Sequence, residues 1–202
     1  MATLTRALQK NSWLIYAVLL AALCLLLWLS PAEAKLGNVV KIVYAHGAAQ
    51  RIAAYAYLLA GGLGAAYLVT KRDALARWTQ AVAETAIVFW LIQFVVSAPA
   101  QILAWGAFTL SEPRVASALW ILGLTALVYG VARWLGERGW LALSALANTL
   151  IFLIVMRGGI NILHPIDPIL GSDSLAMKLF YAAIVLVTGL LATQFARDRA
   201  TR

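Results

Sequence analysis

The sequence predicts an all-α, polytopic membrane protein with six transmembrane helices, and three observations support this. Apolar residues make up 63% of the 202 residues and charged residues only 12%, about half the charged fraction of a soluble domain. The apolar residues fall into six runs of about 17 to 20 residues, close to the ~20 that cross a bilayer as a helix. None of the runs alternates as a barrel strand does, and spanning backbone must satisfy its own hydrogen bonds. We therefore expect one six-helix transmembrane domain over residues 1–202.

The six predicted spans follow one another in order along the chain. Their approximate bounds are residues 13–29, 52–70, 79–98, 115–132, 140–156 and 179–196. Basic residues mark the ends of the second, fourth and sixth spans (Lys71, Arg133 and Arg197), as is usual for membrane helices. The fifth span is the least regular, because Asn148 and Thr149 lie near its centre. We expect both to form hydrogen bonds between helices.

The first span allows two interpretations. Arg6 and Lys10, the apolar run and the segment Ala32-Glu33-Ala34 together resemble a signal peptide with an A-x-A cleavage site. The run is longer than the apolar region of a usual signal peptide, which has about 7 to 15 residues. We therefore expect it to remain as an uncleaved membrane anchor.

The basic residues also predict the orientation. Of the 16 Lys and Arg residues, ten lie on the face that has both termini and six on the other. Because positive charge is retained on the cytoplasmic side, both termini are expected in the cytoplasm. The expected location is the bacterial cytoplasmic (inner) membrane, which the protein crosses several times. The outer connections are then about residues 30–51, 99–114 and 157–178, and they hold most of the irregular sequence.

Both histidines, His46 and His164, fall in these outer connections. Four spans separate them, and an even number of crossings returns the chain to the same face. Two neutral imidazoles on one face suit the axial ligation of a heme iron or a shared metal site. The alternative is that each histidine caps a helix or bonds to a lipid headgroup. The sole cysteine, Cys24, excludes an intrachain disulfide, and without a C-x-x-C-H motif heme cannot be attached in the c-type manner.

Several classes of function lack a motif in this sequence. The net charge of +8 does not indicate nucleic-acid binding, because the basic residues lie at the ends of apolar runs and not in one patch. There is no P-loop, no H-E-x-x-H zinc motif and no Ser/His/Asp set with a recognisable spacing, so we expect no enzyme activity. The segment Gly61-Gly62-Leu63-Gly64 lies within a span and is expected to allow close helix packing.

Two polar residues of the third span are further candidates for function. Glu84 lies ~8 Å inside the span from the termini face, at 1.5 Å per residue. A carboxylate at that depth marks a proton path, reaches back to the interface or forms a pair with Arg77. Gln93, nearer the outer face, either lines a heme pocket or bonds to a neighbouring helix.

Three segments of the outer connections match motifs of one family. Lys41-Ile-Val-Tyr-Ala-His46-Gly-Ala-Ala resembles R-I-x-Y-x-H-x-x-x, and Asn161-Ile-Leu163-His164 resembles N-x-L-H. Between them, Trp105-Gly-Ala-Phe-Thr-Leu-Ser-Glu-Pro-Arg-Val-Ala-Ser-Ala-Leu resembles the tryptophan-rich motif W-G-T-W-W-V-W-D-P-R-L-T-S-E-L. In this order, and among six helices, these motifs are those of the heme exporter protein C (CcmC) type, which handles heme in cytochrome c maturation. The resemblance covers about residues 38–195.

The resemblance implies a b-type heme near the outer face, with His46 and His164 as axial ligands of the iron. It also implies that aromatic rings of the tryptophan-rich motif lie against the porphyrin. Arg51 and Arg114 are expected to pair with the carboxylates of the heme propionates. The cofactor-binding residues expected on this basis are His46, His164, Trp105, Phe108, Arg114, Arg51 and Glu112.

The chain departs from the family at several positions. Phe108, Thr109 and Ser111 replace three of the four tryptophans, and Glu112 replaces the aspartate. The first hypothesis is a heme-binding membrane protein of cytochrome c assembly, which passes heme to a heme chaperone or c-type cytochrome. The alternative is a heme-carrying or purely structural subunit of a respiratory or photosynthetic electron-transfer complex, in contact with other membrane subunits. A quinone-reacting cytochrome b subunit is the least favoured, because only one axial pair is available.

Overall fold

A computed structural model describes residues 11–157 and 169–201 of the chain. Within these residues the chain forms six helices, each long and apolar enough to span a membrane, and one isolated β-bridge between Glu33 and Gly37. The helices are α1 Ser12–Leu29, α2 Val40–Thr70, α3 Asp73–Trp105, α4 Pro113–Leu135, α5 Arg138–Arg157 and α6 Leu175–Ala200. The predicted six-helix, all-α, membrane-spanning fold is confirmed.

α2 and α3 extend further toward the outer face than their apolar runs predicted. α2 begins at Val40, and α3 continues through Pro99 to Trp105. The predicted outer connections, residues 30–51 and 99–114, are therefore too long. Hydropathy indicates where the hydrocarbon region ends. A helix satisfies its own backbone hydrogen bonds and can therefore continue beyond that region.

The outer end of α3 is set by a glycine and not by the proline before it. Gly106 adopts a left-handed conformation, with φ at 81°, and its N–H donates to the carbonyl of Ile102 at 2.9 Å. Such a turn is the usual glycine-terminated helix end, since glycine has no Cβ to clash. The consequence is that Trp105 is the last helical residue, and residues 106–112 form a short connection to α4.

α2 lies close against α5 through two glycines, as predicted for the glycine-rich segment. A Cβ added at Gly64 would lie 2.8 Å from the backbone oxygen of Ala142, and one added at Gly61 would overlap the side chain of Thr149. Gly62 faces open space. Small residues thus allow the two helices to approach at backbone distance, the usual device in membrane bundles.

The centre of the bundle combines stacked aromatic rings with interhelical hydrogen bonds. The rings of Tyr57 and Phe152 stack with centroids 5.3 Å apart, and Trp90 meets Phe152 edge-on at 5.6 Å. Asn148 donates to the backbone oxygen of Thr125 at 3.1 Å. Thr149 donates to the backbone oxygen of Tyr57 at 2.6 Å. The prediction that both polar residues of α5 bond to other helices is confirmed.

α1 lies at the edge of the bundle, where none of its residues is buried. Its first residue, Ser12, donates a hydrogen bond of 2.9 Å to the carboxylate of Asp198 near the end of α6. The beginning of α1 and the end of α6 therefore lie on one face, which we call the termini face; the opposite face is the outer face. An even number of crossings brings both ends of the chain to one face, so this arrangement agrees with six membrane-spanning helices.

Candidate functional site

His46 lies on α2, in its second turn from the outer end, and not in a loop as predicted. Its side chain is half-buried. The ring atom Nδ1 lies 3.0 Å from the backbone oxygen of Gln93 on α3. A carbonyl can only accept, so Nδ1 donates in this bond, and in the neutral imidazole the lone pair is then on Nε2. The imidazole is thus oriented by the backbone of a neighbouring helix.

The side chain of Gln93 is not the group that reaches the neighbouring helix. It is only 2% exposed, and its amide nitrogen Nε2 has no hydrogen-bond partner among the described residues. Ser97 and Gln101 follow at one-turn intervals and are also buried. The outer half of α3 therefore presents a polar strip on one buried side. The role of the Gln93 carbonyl could not be found from sequence, because every residue has one.

Arg51 lies just over one turn after His46 on α2, and Tyr181 of α6 holds its guanidinium. The Arg51 Nε donates to the Tyr181 hydroxyl at 2.9 Å, and the guanidinium carbon lies 5.4 Å from the centre of that ring. α6 comes close here, since a Cβ at Gly47 would lie 2.9 Å from the same hydroxyl. Sequence reasoning missed Tyr181, which has no motif around it.

The remaining predicted residues lie around the short connection from α3 to α4. Trp105 is 56% exposed, and Phe108 and Arg114 are half-buried. Glu112 is the N-cap of α4: its Oε2 accepts from the N–H of Val115 at 2.8 Å. The other oxygen, Oε1, is buried without a partner among the described residues. Glu112 therefore has a structural function at the start of α4.

His164 lies outside the described residues, so its place beside His46 stays a prediction. The chain resumes at Ile169, which is 4% exposed. Ile169 belongs to the same buried cluster as Tyr44 and Ala48, which lie on either side of His46 in the sequence. Within residues 11–157 and 169–201, no three His, Cys, Asp or Glu side chains lie together as a metal cluster.

A second polar group lies near the termini face, around Glu84 of α3. Its carboxylate accepts hydrogen bonds from the Tyr129 hydroxyl of α4, from Nε of Arg199 on α6 and, at 3.1 Å, from the Gln80 amide. Of the alternatives for Glu84, the pair with Arg77 is wrong. The actual partner is 115 positions away in sequence, which no local pattern could have indicated.

We call His46, Arg51, Glu112 and their partners the outer group, and Glu84 with its partners the termini-face group. The two groups share no residue. The candidate site therefore consists of the outer group alone. There, the described structure brings His46 together with the Gln93 carbonyl, and Arg51 with Tyr181. It does not bring Glu84 into that site. The chain matches none of the family models and none of the curated proteins with which it was compared.

Proposed function

We propose that the protein binds one b-type heme near its outer face, with His46 and His164 as axial ligands. The observation that carries the proposal is the hydrogen bond from Nδ1 of His46 to the Gln93 carbonyl. Metal-ligating histidines usually donate their other ring nitrogen to a carbonyl or carboxylate, which orients the ring and raises the basicity of the ligating atom. Nε2 of His46 has the lone pair that iron requires.

Other residues near the outer ends of α2, α3 and α4 suit the rest of a heme. Trp105 and Phe108 would cover the porphyrin face, since aromatic rings pack well against it. Arg51, already oriented by Tyr181, and Arg114 would hold the two propionates. Glu112 caps α4 and its charge acts on Arg114, so it would position that arginine rather than touch the heme. Heme bound there supplies one-electron transfer or is the cargo that is handed on.

In the first form of this proposal the protein handles heme in cytochrome c assembly and passes it to a heme chaperone or c-type cytochrome. The motif order of the three outer segments supports this form. The second form is a membrane subunit whose heme stays in place, or whose fold is only structural. The replacement of three tryptophans by Phe108, Thr109 and Ser111 favours it, because transfer needs an open aromatic platform. Neither form includes a bond-making active site in this chain.

The visible spectrum of the purified full chain tests heme binding. We expect the reduced protein to show the α band of a low-spin b-type cytochrome and to release protoheme on extraction. His46→Ala and His164→Ala should each abolish the low-spin spectrum, because six-coordinate iron needs both imidazoles. Asp167→Ala, in the same connection as His164, is the matched control and should leave the spectrum unchanged. An intact protein with little iron and no Soret band would overturn the proposal.

A transfer assay separates the two forms. The heme-loaded protein is mixed with an excess of apomyoglobin, and the appearance of metmyoglobin is followed. A handling protein should release its heme within minutes, whereas a fixed electron carrier should keep it for hours. Retention of the heme would exclude the first form and leave the bis-histidine site standing.

A further inference from the structure

The polar group around Glu84 forms the base of a cleft between two helices. α4 and α6 hardly contact each other in the described structure, and α3 lies behind the gap. The cleft encloses about 420 Å³, and its lining includes Glu84, Val88, Tyr129, Arg133, Phe195 and Arg199. Arg133 is exposed and the side chain of Arg199 is 37% exposed, whereas that of Glu84 is only 10% exposed. The cleft therefore opens at the surface of the bundle, where lipid contacts it.

The cleft has one positive charge in excess. Glu84 bonds to Arg199 and so neutralises it. Arg133, the second cation of the lining, forms no ion pair within the described residues. A carboxylate with two guanidinium groups leaves a charge of one, which complements a group with a single negative charge.

Polarity along the cleft follows depth in the membrane. Arg133 lies one turn nearer the termini face than Tyr129, and Arg199 one turn nearer than Phe195. On α3, Val88 lies four residues deeper than Glu84. Four residues correspond to ~6 Å along the helix axis. Cations thus lie at headgroup level and apolar side chains below them.

The neighbouring tryptophan marks the same level. Trp134, next to Arg133, is 84% exposed at the end of α4. Exposed tryptophans at the ends of spans occupy the headgroup region of a bilayer. Arg133 is therefore placed where the phosphates of one leaflet lie, and not in the aqueous phase beyond them.

A second cavity adjoins the deep end of the cleft. This cavity encloses about 370 Å³ between α1, α2, α3 and α6, and it shares Val88 and Phe195 with the cleft. Its other lining residues are almost all apolar, among them Leu20, Ile92 and Leu191. Val88 and Phe195 therefore form the boundary between the cleft and the apolar cavity.

We propose that the cleft binds one anionic phospholipid from the leaflet on the termini face. Its phosphate lies at Arg133, with Arg199 beside it, and one acyl chain lies against Val88 and Phe195 in the apolar part of the cleft. Basic pockets between transmembrane helices are known binding places for anionic lipid headgroups. Glu84 keeps Arg199 in the cleft and limits the site to a singly charged headgroup. The proposal is independent of heme binding at the outer face.

Native mass spectrometry of the full chain in a neutral detergent tests the proposal, with dioleoylphosphatidylglycerol and dioleoylphosphatidylcholine as probes. We expect one phosphatidylglycerol to bind in preference to phosphatidylcholine. Arg133→Gln should raise the dissociation constant for phosphatidylglycerol about fivefold, which corresponds to the contribution of one basic residue at a membrane surface. Arg72→Gln removes an equal charge from the same face outside the cleft, and binding should be unchanged.

Two further outcomes separate a lipid from a free phosphate as the ligand, and the cleft from the rest of the basic face as the binding surface. If inorganic phosphate at equal concentration displaced the lipid from wild-type protein, the acyl chain would contribute nothing and the lipid site would be refuted. If Arg72→Gln weakened binding as much as Arg133→Gln, attraction would come from the whole basic face, and the cleft would again be refuted. Equal binding of phosphatidylglycerol and phosphatidylcholine would also refute an anionic-lipid site in the cleft.

Discussion

The polar groups at the two faces of this bundle are held together by different means. At the outer face, a backbone carbonyl orients His46, a tyrosine holds Arg51 and the N–H of Val115 donates to Glu112. Near the termini face, Glu84 collects side chains from α3, α4 and α6 in one ion-paired group. The outer group is thus a set of separate contacts, and the other is a single network around one carboxylate. Loss of one residue should therefore cost more at Glu84 than at any one outer contact.

The largest expected loss follows Glu84→Ala. The substitution leaves Arg199 and Tyr129 without their shared acceptor, and removing one partner of a buried pair is strongly destabilising. Because Arg199 is partly exposed and can turn to lipid phosphates, we expect about 2 kcal/mol of unfolding free energy to be lost. Unfolding by denaturant in detergent micelles measures this.

Glu137→Ala is the control for that measurement, because Glu137 is an exposed acid on the same face. It should change the unfolding free energy by less than about 0.5 kcal/mol, as surface substitutions usually do. Equal stabilities for the two variants would show that the Glu84 group does not act as a network.

The next largest loss is expected from Tyr181→Phe at the outer face. It removes the hydroxyl that accepts from Arg51 and keeps the ring beneath the guanidinium. A hydrogen bond to a charged group contributes ~1.5 kcal/mol at the low end of its range, which suits a half-buried pair. Thermal unfolding of the variant checks this, with Tyr55→Phe at an exposed position of α2 as the control.

A smaller loss is expected from Glu112→Ala, which removes the cap of α4. An N-cap contributes about 1 kcal/mol, because its oxygen satisfies one of the free N–H groups of the first turn. Glu112→Asp keeps a carboxylate at the cap and should recover most of the lost stability in the same unfolding measurement. If the alanine variant were as stable as wild type, the bond to Val115 would not be the reason for an acid here.

The smallest effect concerns pH and the connection between α1 and α2. The N–H groups of Leu36 and Lys35 both donate to Glu33 at 2.8 Å, and they hold its pKa below the ordinary value. A lowered pKa means that the stabilisation is complete above the ordinary pKa and is lost as pH falls through the folded pKa. An NMR titration of the Glu33 carboxyl carbon should have its midpoint below that of the peptide Ala32–Leu36. An unshifted midpoint would contradict the two hydrogen bonds.

The sequence predicted most of the fold because lipid imposes a simple requirement. Six runs of sufficient length and apolarity had to become six helices, and all six are present. The ends of α2 and α3 were not predicted, since hydropathy reports the hydrocarbon boundary and Gly106 determines where α3 stops. The close contact at Gly61 and Gly64 was predicted because only a residue without a side chain permits it.

The candidate site was predicted in part. A rare residue type singled out His46, and its position near the outer end of α2 agrees with the predicted face. The prediction for His164 lies outside the described residues. Nothing in the sequence indicated that Tyr181 would hold Arg51, because that contact joins positions 130 apart.

What the sequence alone determined is the class of the protein, its number of crossings and the face near which His46 lies. These follow from composition and from the order of apolar runs, which act locally along the chain. Only the tertiary structure decided which groups meet: the Gln93 carbonyl with His46, and Arg199 instead of Arg77 with Glu84. The physical reason is that a polar group buried in a transmembrane bundle is stabilised by a partner on another helix, and that partner depends on packing rather than on sequence distance.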